Sequence, residues 1–271
     1  MTSSLPSHPI GVFDSGVGGL TVVRALMDRL PFENIVYFGD TARVPYGVKS
    51  TSTIEHFTLQ IVDFLQRQQV KMLIIACNTM AAVAAEKVRQ VSPLPVLDVI
   101  ESGARCAVAE SRTGGIGVIG TPTTINSNAY ARAIHLLDPD CRVYSQACPM
   151  FVPLVEEGWL DHPVTRLTAQ EYLKPVFVEQ IDTLVLGCTH YPLLKPLLKD
   201  LTGDLKLVDS AIAIADQTAA LLQQQGLANP QRGMPDYRYF VTDVPLNFRN
   251  VGERFLGRNL GAIEQVNLDR P

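Results

Sequence analysis

The chain has 271 residues, 46% hydrophobic and 18% charged, with 27 acidic against 23 basic side chains. That length supplies one large domain or two of moderate size with a real core, and the composition excludes global disorder. The formal charge of −4 argues against nucleic-acid binding, and no apolar run reaches the roughly 18 residues of a membrane span.

The polar start, residues 1–9, lacks the basic and apolar regions of a secretory signal, so a cytoplasmic location is expected. Residues 10–13 (IGVF) read as a strand, 20–30 as a helix, 35–38 (IVYF) as a second strand and 53–69 as a longer helix. Residues 71–76 form a third apolar strand, 80–90 an Ala-rich helix, and 95–98 a short extended piece. Near-continuous apolar strands alternating with helices predict a parallel sheet covered on both faces.

The second half repeats this order. Residues 116–121 (IGVIGT) match 10–15 (IGVFDS), Val143-Tyr144 matches Val36-Tyr37, and Cys188 matches Cys77, at offsets of 106, 107 and 111. The expected fold is α/β: two similar, doubly wound parallel-sheet domains related by pseudo-two-fold symmetry, with the active-site cleft between them. Residues 99–104 are expected to cross between halves, and the chain to cross back near Val208-Asp209-Ser210. The following helix, 211–225, has no counterpart in this reading.

Five cysteines, 77, 106, 141, 148 and 188, make an odd count in a chain too long to depend on disulfides. Without CxxC or HExxH spacing, no metal site is expected. Cys77 ends Met72-Leu73-Ile74-Ile75-Ala76, and Cys188 ends Thr183-Leu184-Val185-Leu186-Gly187. Both thiols fall where a buried strand gives way to polar residues. A helix start after Cys77 is expected to favour its thiolate. His190, two residues past Cys188, suits proton exchange with that sulfur. A free cysteine is commonly only a small buried hydrophobe, but packing gives no reason to place two of them symmetrically.

Asp14-Ser15-Gly16-Val17-Gly18-Gly19 is a glycine-rich turn that is neither GxGxxG nor a P-loop. Asp14 there would repel phosphate; it suits helping a base, holding a substrate ammonium, or capping a helix. The loop Asp40 to Gly47 carries Arg43, for a substrate carboxylate or a local ion pair, and Tyr46-Gly47, with a hydroxyl and an unhindered N–H. Thr121, Thr123, Thr124 and Ser127 form a hydroxyl-rich loop of the kind that holds carboxylates. Glu156 and Glu157 either border the cleft or are solvated helix charges.

Taken together, Phe13-Asp14-Ser15-Gly16-Val17-Gly18-Gly19-Leu20, Pro45-Tyr46-Gly47, Ala76-Cys77-Asn78-Thr79, Gly120-Thr121 with Thr124, and Gly187-Cys188-Thr189-His190-Tyr191-Pro192 closely resemble the glutamate racemases of the aspartate/glutamate racemase superfamily. The resemblance spans positions 13–192 and carries no motif after about residue 216. It implies cofactor-independent interconversion of L- and D-glutamate for peptidoglycan synthesis. Cys77, assisted by Asp14, and Cys188, assisted by His190, would serve opposite faces of the substrate. Asp14, Ser15, Tyr46, Gly47, Asn78, Thr79, Thr121, Thr124, Thr189 and His190 would bind it. It also implies a homodimer, a first domain of residues 1–99 plus 210–271, and a second of 100–209. Other readings are an aspartate or hydantoin racemase, a non-catalytic amino-acid-binding module, and a Cys188–His190 hydrolase, which leaves Cys77 idle. No lysine motif calls for pyridoxal chemistry.

Overall fold

The structure, a computed structural model, describes residues 5–268. Its first half runs β1 (Ile10–Asp14), α1 (Leu20–Arg29), β2 (Ile35–Gly39), α2 (Thr51–Arg67), β3 (Met72–Ile75), α3 (Asn78–Val91), β4 (Val96–Asp98) and α4 (Val99–Glu110). The second runs β5 (Gly115–Gly120), α5 (Pro122–Asn126), α6 (Ala129–Leu137), β6 (Arg142–Ala147), α7 (Phe151–Glu156), α8 (Pro163–Phe177), β7 (Thr183–Gly187), α9 (Lys195–Thr202), β8 (Lys206–Asp209) and α10 (Ser210–Gln224). The chain ends with β9 (Tyr237–Val241), α11 (Pro245–Leu256) and β10 (Ile263–Gln265).

Two sheets result. One has the order β10-β9-β2-β1-β3-β4 and the other β6-β5-β7-β8, and every pairing is parallel. The order β2-β1-β3-β4 recurs as β6-β5-β7-β8, which is the internal repeat seen in three dimensions. β1, β2, β3, β5 and β7 are buried along their whole length, as expected of apolar strands covered on both faces. The edge strand β6 is polar and partly exposed. The late strands β9 and β10 extend the first sheet beside β2.

One expectation is corrected. The helix after residue 210 does have a counterpart: β8–α10 repeats β4–α4. Each strand ends in an aspartate that caps the next helix. Asp98 Oδ1 accepts from the Ile100 and Glu101 amides at 2.8 and 3.0 Å, and Asp209 Oδ1 accepts from the Ala211 amide at 2.9 Å. A carboxylate there satisfies free N–H groups and complements the helix dipole. α4 and α10 pack on each other, tied by a 2.6 Å hydrogen bond from Ser102 Oγ to Gln217 Oε1.

Beneath the first sheet, Lys71 is fully buried. Its Nζ donates to Glu33 Oε2 (2.5 Å), the Pro6 carbonyl (2.7 Å) and the Leu227 carbonyl (2.8 Å). A buried ammonium is tolerable only when paired and hydrogen-bonded in this way. The site itself lies at the opposite, carboxyl ends of the strands, where open α/β sheets bind their ligands.

Candidate active site

Cys77 is the cap residue of α3, one residue beyond the last alanine after β3, and Cys188 directly follows β7. Both thiols are buried, 6% exposed, and both line one cleft of about 470 Å³. Ser15, Tyr46, Gly47, Asn78, Thr79, Thr121, Thr189 and His190 line the same cleft. Asp14 and Thr124 are not in its lining; both are buried, 1% exposed. Val17, Val44, Val48 and Val152, with Pro122, Pro149 and Pro153, complete the wall. Sequence reasoning did not select these apolar residues, because nothing distinguishes a valine at a cleft from one in a core. Within reach was the motif setting of Val17, Pro122 and Pro153.

The halves meet closely here. A Cβ on Gly18 would overlap Thr189 Oγ1 and the His190 ring, so only glycine lets β1's turn approach the Cys188 loop. Thr21 Oγ1 donates to the Thr189 carbonyl at 3.1 Å, and Thr123 Oγ1 to the Gly47 carbonyl at 2.6 Å.

Around Cys77 the environment is acidic and dry. Ser15 Oγ lies 3.5 Å from Cys77 Sγ. Asp14 Oδ1 accepts from the Gly16 amide at 2.8 Å, and its Oδ2 accepts from Thr189 Oγ1 at 3.4 Å. Burial first, and the neighbouring Asp14 charge second, push the Cys77 thiol up to about 12. The helix start does favour the anion as expected, through the Met80 amide, and so does Ser15, but desolvation outweighs them. Asp14's own carboxyl is raised by burial, against the pull of His190 and hydrogen bonds from Gly16, Gly19 and Thr189.

Around Cys188 the arrangement is cationic. His190 Nδ1 lies 3.9 Å from Cys188 Sγ, and Nε2 lies 2.9 Å from Glu156 Oε1. The Phe255 ring packs edge-on against the imidazole. Burial disfavours the charged ring, but Cys188 and Glu156 outweigh it and raise His190 to about 10. Both glutamates are exposed, but Glu156 borders the cleft and Glu157 is not in its lining.

The remaining polar groups divide between structure and wall. Tyr46 Oη donates to Asp40 Oδ2, so its hydroxyl is already engaged while its side chain lines the cleft. Arg43 resolves to the local ion pair: its Nε is 2.7 Å from Asp40, its Nη1 donates to Gln60, and its guanidinium lies over Phe57. Thr79, Thr121 and Thr124 form a hydroxyl chain across the cleft, with both Oγ···Oγ distances 2.9 Å. Asn78 Oδ1 accepts from Tyr130 Oη at 2.7 Å, and its Nδ2 is buried in the cleft wall without a protein partner. An unsatisfied donor of this kind is completed by an acceptor such as a carboxylate. Among the described residues no group of three His, Cys, Asp or Glu could hold a metal ion, and no helix is long and apolar enough to cross a membrane.

The profile of the Asp/Glu/Hydantoin racemase family matches residues 19–218. Glutamate racemase of Syntrophus aciditrophicus is 72% identical over 262 residues, covering 96% of this chain and 97% of that protein. Glutamate racemase of Neisseria meningitidis serogroup A is 63% identical with the same coverage. The crystal structure of Francisella tularensis glutamate racemase in complex with D-glutamate superposes with a TM-score of 0.93 at 46% identity, covering 98% of this chain and 99% of that one. The chain belongs to the Asp/Glu/Hydantoin racemase family and, within it, to the glutamate racemases.

Proposed function

We propose that this protein interconverts L- and D-glutamate by cofactor-independent, two-base proton transfer, with Cys77 and Cys188 acting on opposite faces of the substrate. The observation that carries this reading is the pair of thiols lining one cleft from equivalent strand ends of the two halves. Inversion at a carbon needs a base on one face and an acid on the other. The α-proton is so weakly acidic that both groups must be positioned beforehand.

The two surroundings suit different starting roles. Cys77, pushed up by burial and Asp14, is disposed to be the thiol that donates. Cys188 faces an imidazole that Cys188 itself and Glu156 favour as the cation, a group placed to exchange a proton with that sulfur. In one direction Cys188 removes the α-proton and Cys77 delivers one to the other face; the reverse direction exchanges these roles. Asn78, Thr79, Thr121 and Thr189, with the Gly47 amide, are the cleft groups suited to substrate carboxylates, and Asp14 with Ser15 flanks the Cys77 side. Thr124 holds Thr121 from behind, and Tyr46 contributes wall rather than hydroxyl.

The product would supply D-glutamate for peptidoglycan synthesis in the cytoplasm, from a homodimer. The test is purified protein with L-glutamate in deuterated water and no added cofactor. D-glutamate carrying α-deuterium is expected; absence of both sinks the reading. Turnover of aspartate or a hydantoin in its place would reassign the substrate within the same family.

A further inference from the structure

Asn78 matters to the site because it lines the cleft and its buried Nδ2 has no protein partner. An amide can present either its nitrogen or its oxygen, and the choice is set by whatever holds the other end. Here that end is held by Tyr130, from α6 of the opposite half. The phenol is 2% exposed. A Cβ on Gly103 of α4 would lie 3.1 Å from its hydroxyl, and one on Gly187 of β7 3.0 Å from its ring, so two side-chain-free positions leave room for it.

The hydrogen-bond direction follows from its neighbours. Ser210 lies beside the phenol, and a Cβ on Gly103 would meet both. The Tyr130 proton has two acceptors within reach, Asn78 Oδ1 at 2.7 Å and the Val99 carbonyl at 3.5 Å. The nearer takes it, so Asn78 is fixed with its oxygen on Tyr130 and its NH₂ left free for a ligand in the cleft that the residue lines. Val99 and Ser210 begin α4 and α10, the helices at the two crossings between the halves. The phenol therefore stands where both crossings meet the substrate wall.

We propose that Tyr130 is a positioning residue for the substrate site: it fixes the Asn78 amide as a donor to a substrate carboxylate, and anchors that amide to the two interdomain crossings. This rests on the glutamate reading only for the identity of the carboxylate. A donor that holds a carboxylate equally before and during proton transfer alters KM rather than kcat.

The first test is Tyr130→Phe, which keeps the ring and removes the hydroxyl. KM for glutamate is expected to rise about tenfold, the effect of losing one well-aligned hydrogen bond to a charged group, with kcat within about threefold. In an Asn78→Ala background the same change should add nothing to KM. A purely structural role would lower the amount of folded protein and leave KM alone. The second test, independent of how Tyr130→Phe folds, is Asn78→Asp. It keeps an acceptor for Tyr130 but turns the unpaired NH₂ into an oxygen. KM is expected to rise about 100-fold through carboxylate repulsion. Unchanged KM in Tyr130→Phe, full additivity with Asn78→Ala, or unchanged KM in Asn78→Asp overturns the proposal. Wild-type racemisation measured alongside tells that failure apart from failure of the glutamate reading.

Discussion

The two halves bring the same atom to the same place and surround it with opposite charge. β3 and β7 are equivalent strands, each paired with the first strand of its half, β1 or β5, and each leads to a buried cysteine. Beside Cys77 stand a buried carboxylate and a serine hydroxyl. Beside Cys188 stands an imidazole tethered to Glu156. The repeat supplies the geometry of a two-faced site, and divergence of the neighbours supplies its acid–base asymmetry. Burial raises the cost of a thiolate at Cys77, where the nearest charge is the Asp14 carboxylate.

Substitutions on either side of the cleft put this contrast to the test. Replacing either thiol, Cys77→Ala or Cys188→Ala, is expected to reduce racemisation by about 10⁴-fold, the upper range for a positioned acid or base. Polarimetry in both directions measures it. A single variant that still racemised at the wild-type rate would end the two-base account.

His190→Asn is expected to cost about 100-fold in kcat, and it also carries a pH signature. His190 is held as a cation to about 10. Its contribution to stability is therefore complete below its ordinary value near 6.5 and is lost as pH rises through about 10. Cys77 acts with the same sign at higher pH: its thiol stays protonated in the fold up to about 12, so ionisation above about 9 favours the unfolded chain. Denaturant midpoints should thus fall between pH 7 and 10 in the wild type, and less steeply in His190→Asn. A steeper fall in the variant would contradict the cationic histidine.

Asp14→Asn removes the charge that helps hold Cys77 up. The thiolate absorbance of Cys77 should then appear at lower pH, with a loss of about tenfold in kcat; an unmoved titration would show that burial alone sets that thiol. Gly18→Ala drives a methyl into Thr189 and His190. It is expected to cost about 1–3 kcal/mol of stability, read by thermal unfolding, and to weaken activity through the Cys188 side first.

The contrast also separates what local sequence carries from what it does not. Apolar strands ending in Cys77 and Cys188 are short-range patterns, so the thiols and the repeated architecture were legible. The α4–α10 equivalence was within reach, because Asp98 and Asp209 stand at the same 111-residue offset as the cysteines. It was missed because the strand residues before them share little identity. The balance at Cys77 was not legible because a helix start is visible in sequence while desolvation by distant chain is not. Glu156 to His190 and Tyr130 to Asn78 join residues 34 and 52 positions apart. One buried carboxylate, Asp40, engages the Tyr46 hydroxyl and decides the open choice at Arg43 for the ion pair, and only the folded loop brings it to both.

Two different groups exchanging protons on two faces leave their mark in where deuterium appears at early times. L-glutamate is converted in deuterated water, and both enantiomers are isolated before equilibrium. The account predicts α-deuterium in the D-glutamate formed, while unreacted L-glutamate stays protiated. D-glutamate that retains the original α-proton would contradict it, because one group would then have carried that proton from face to face.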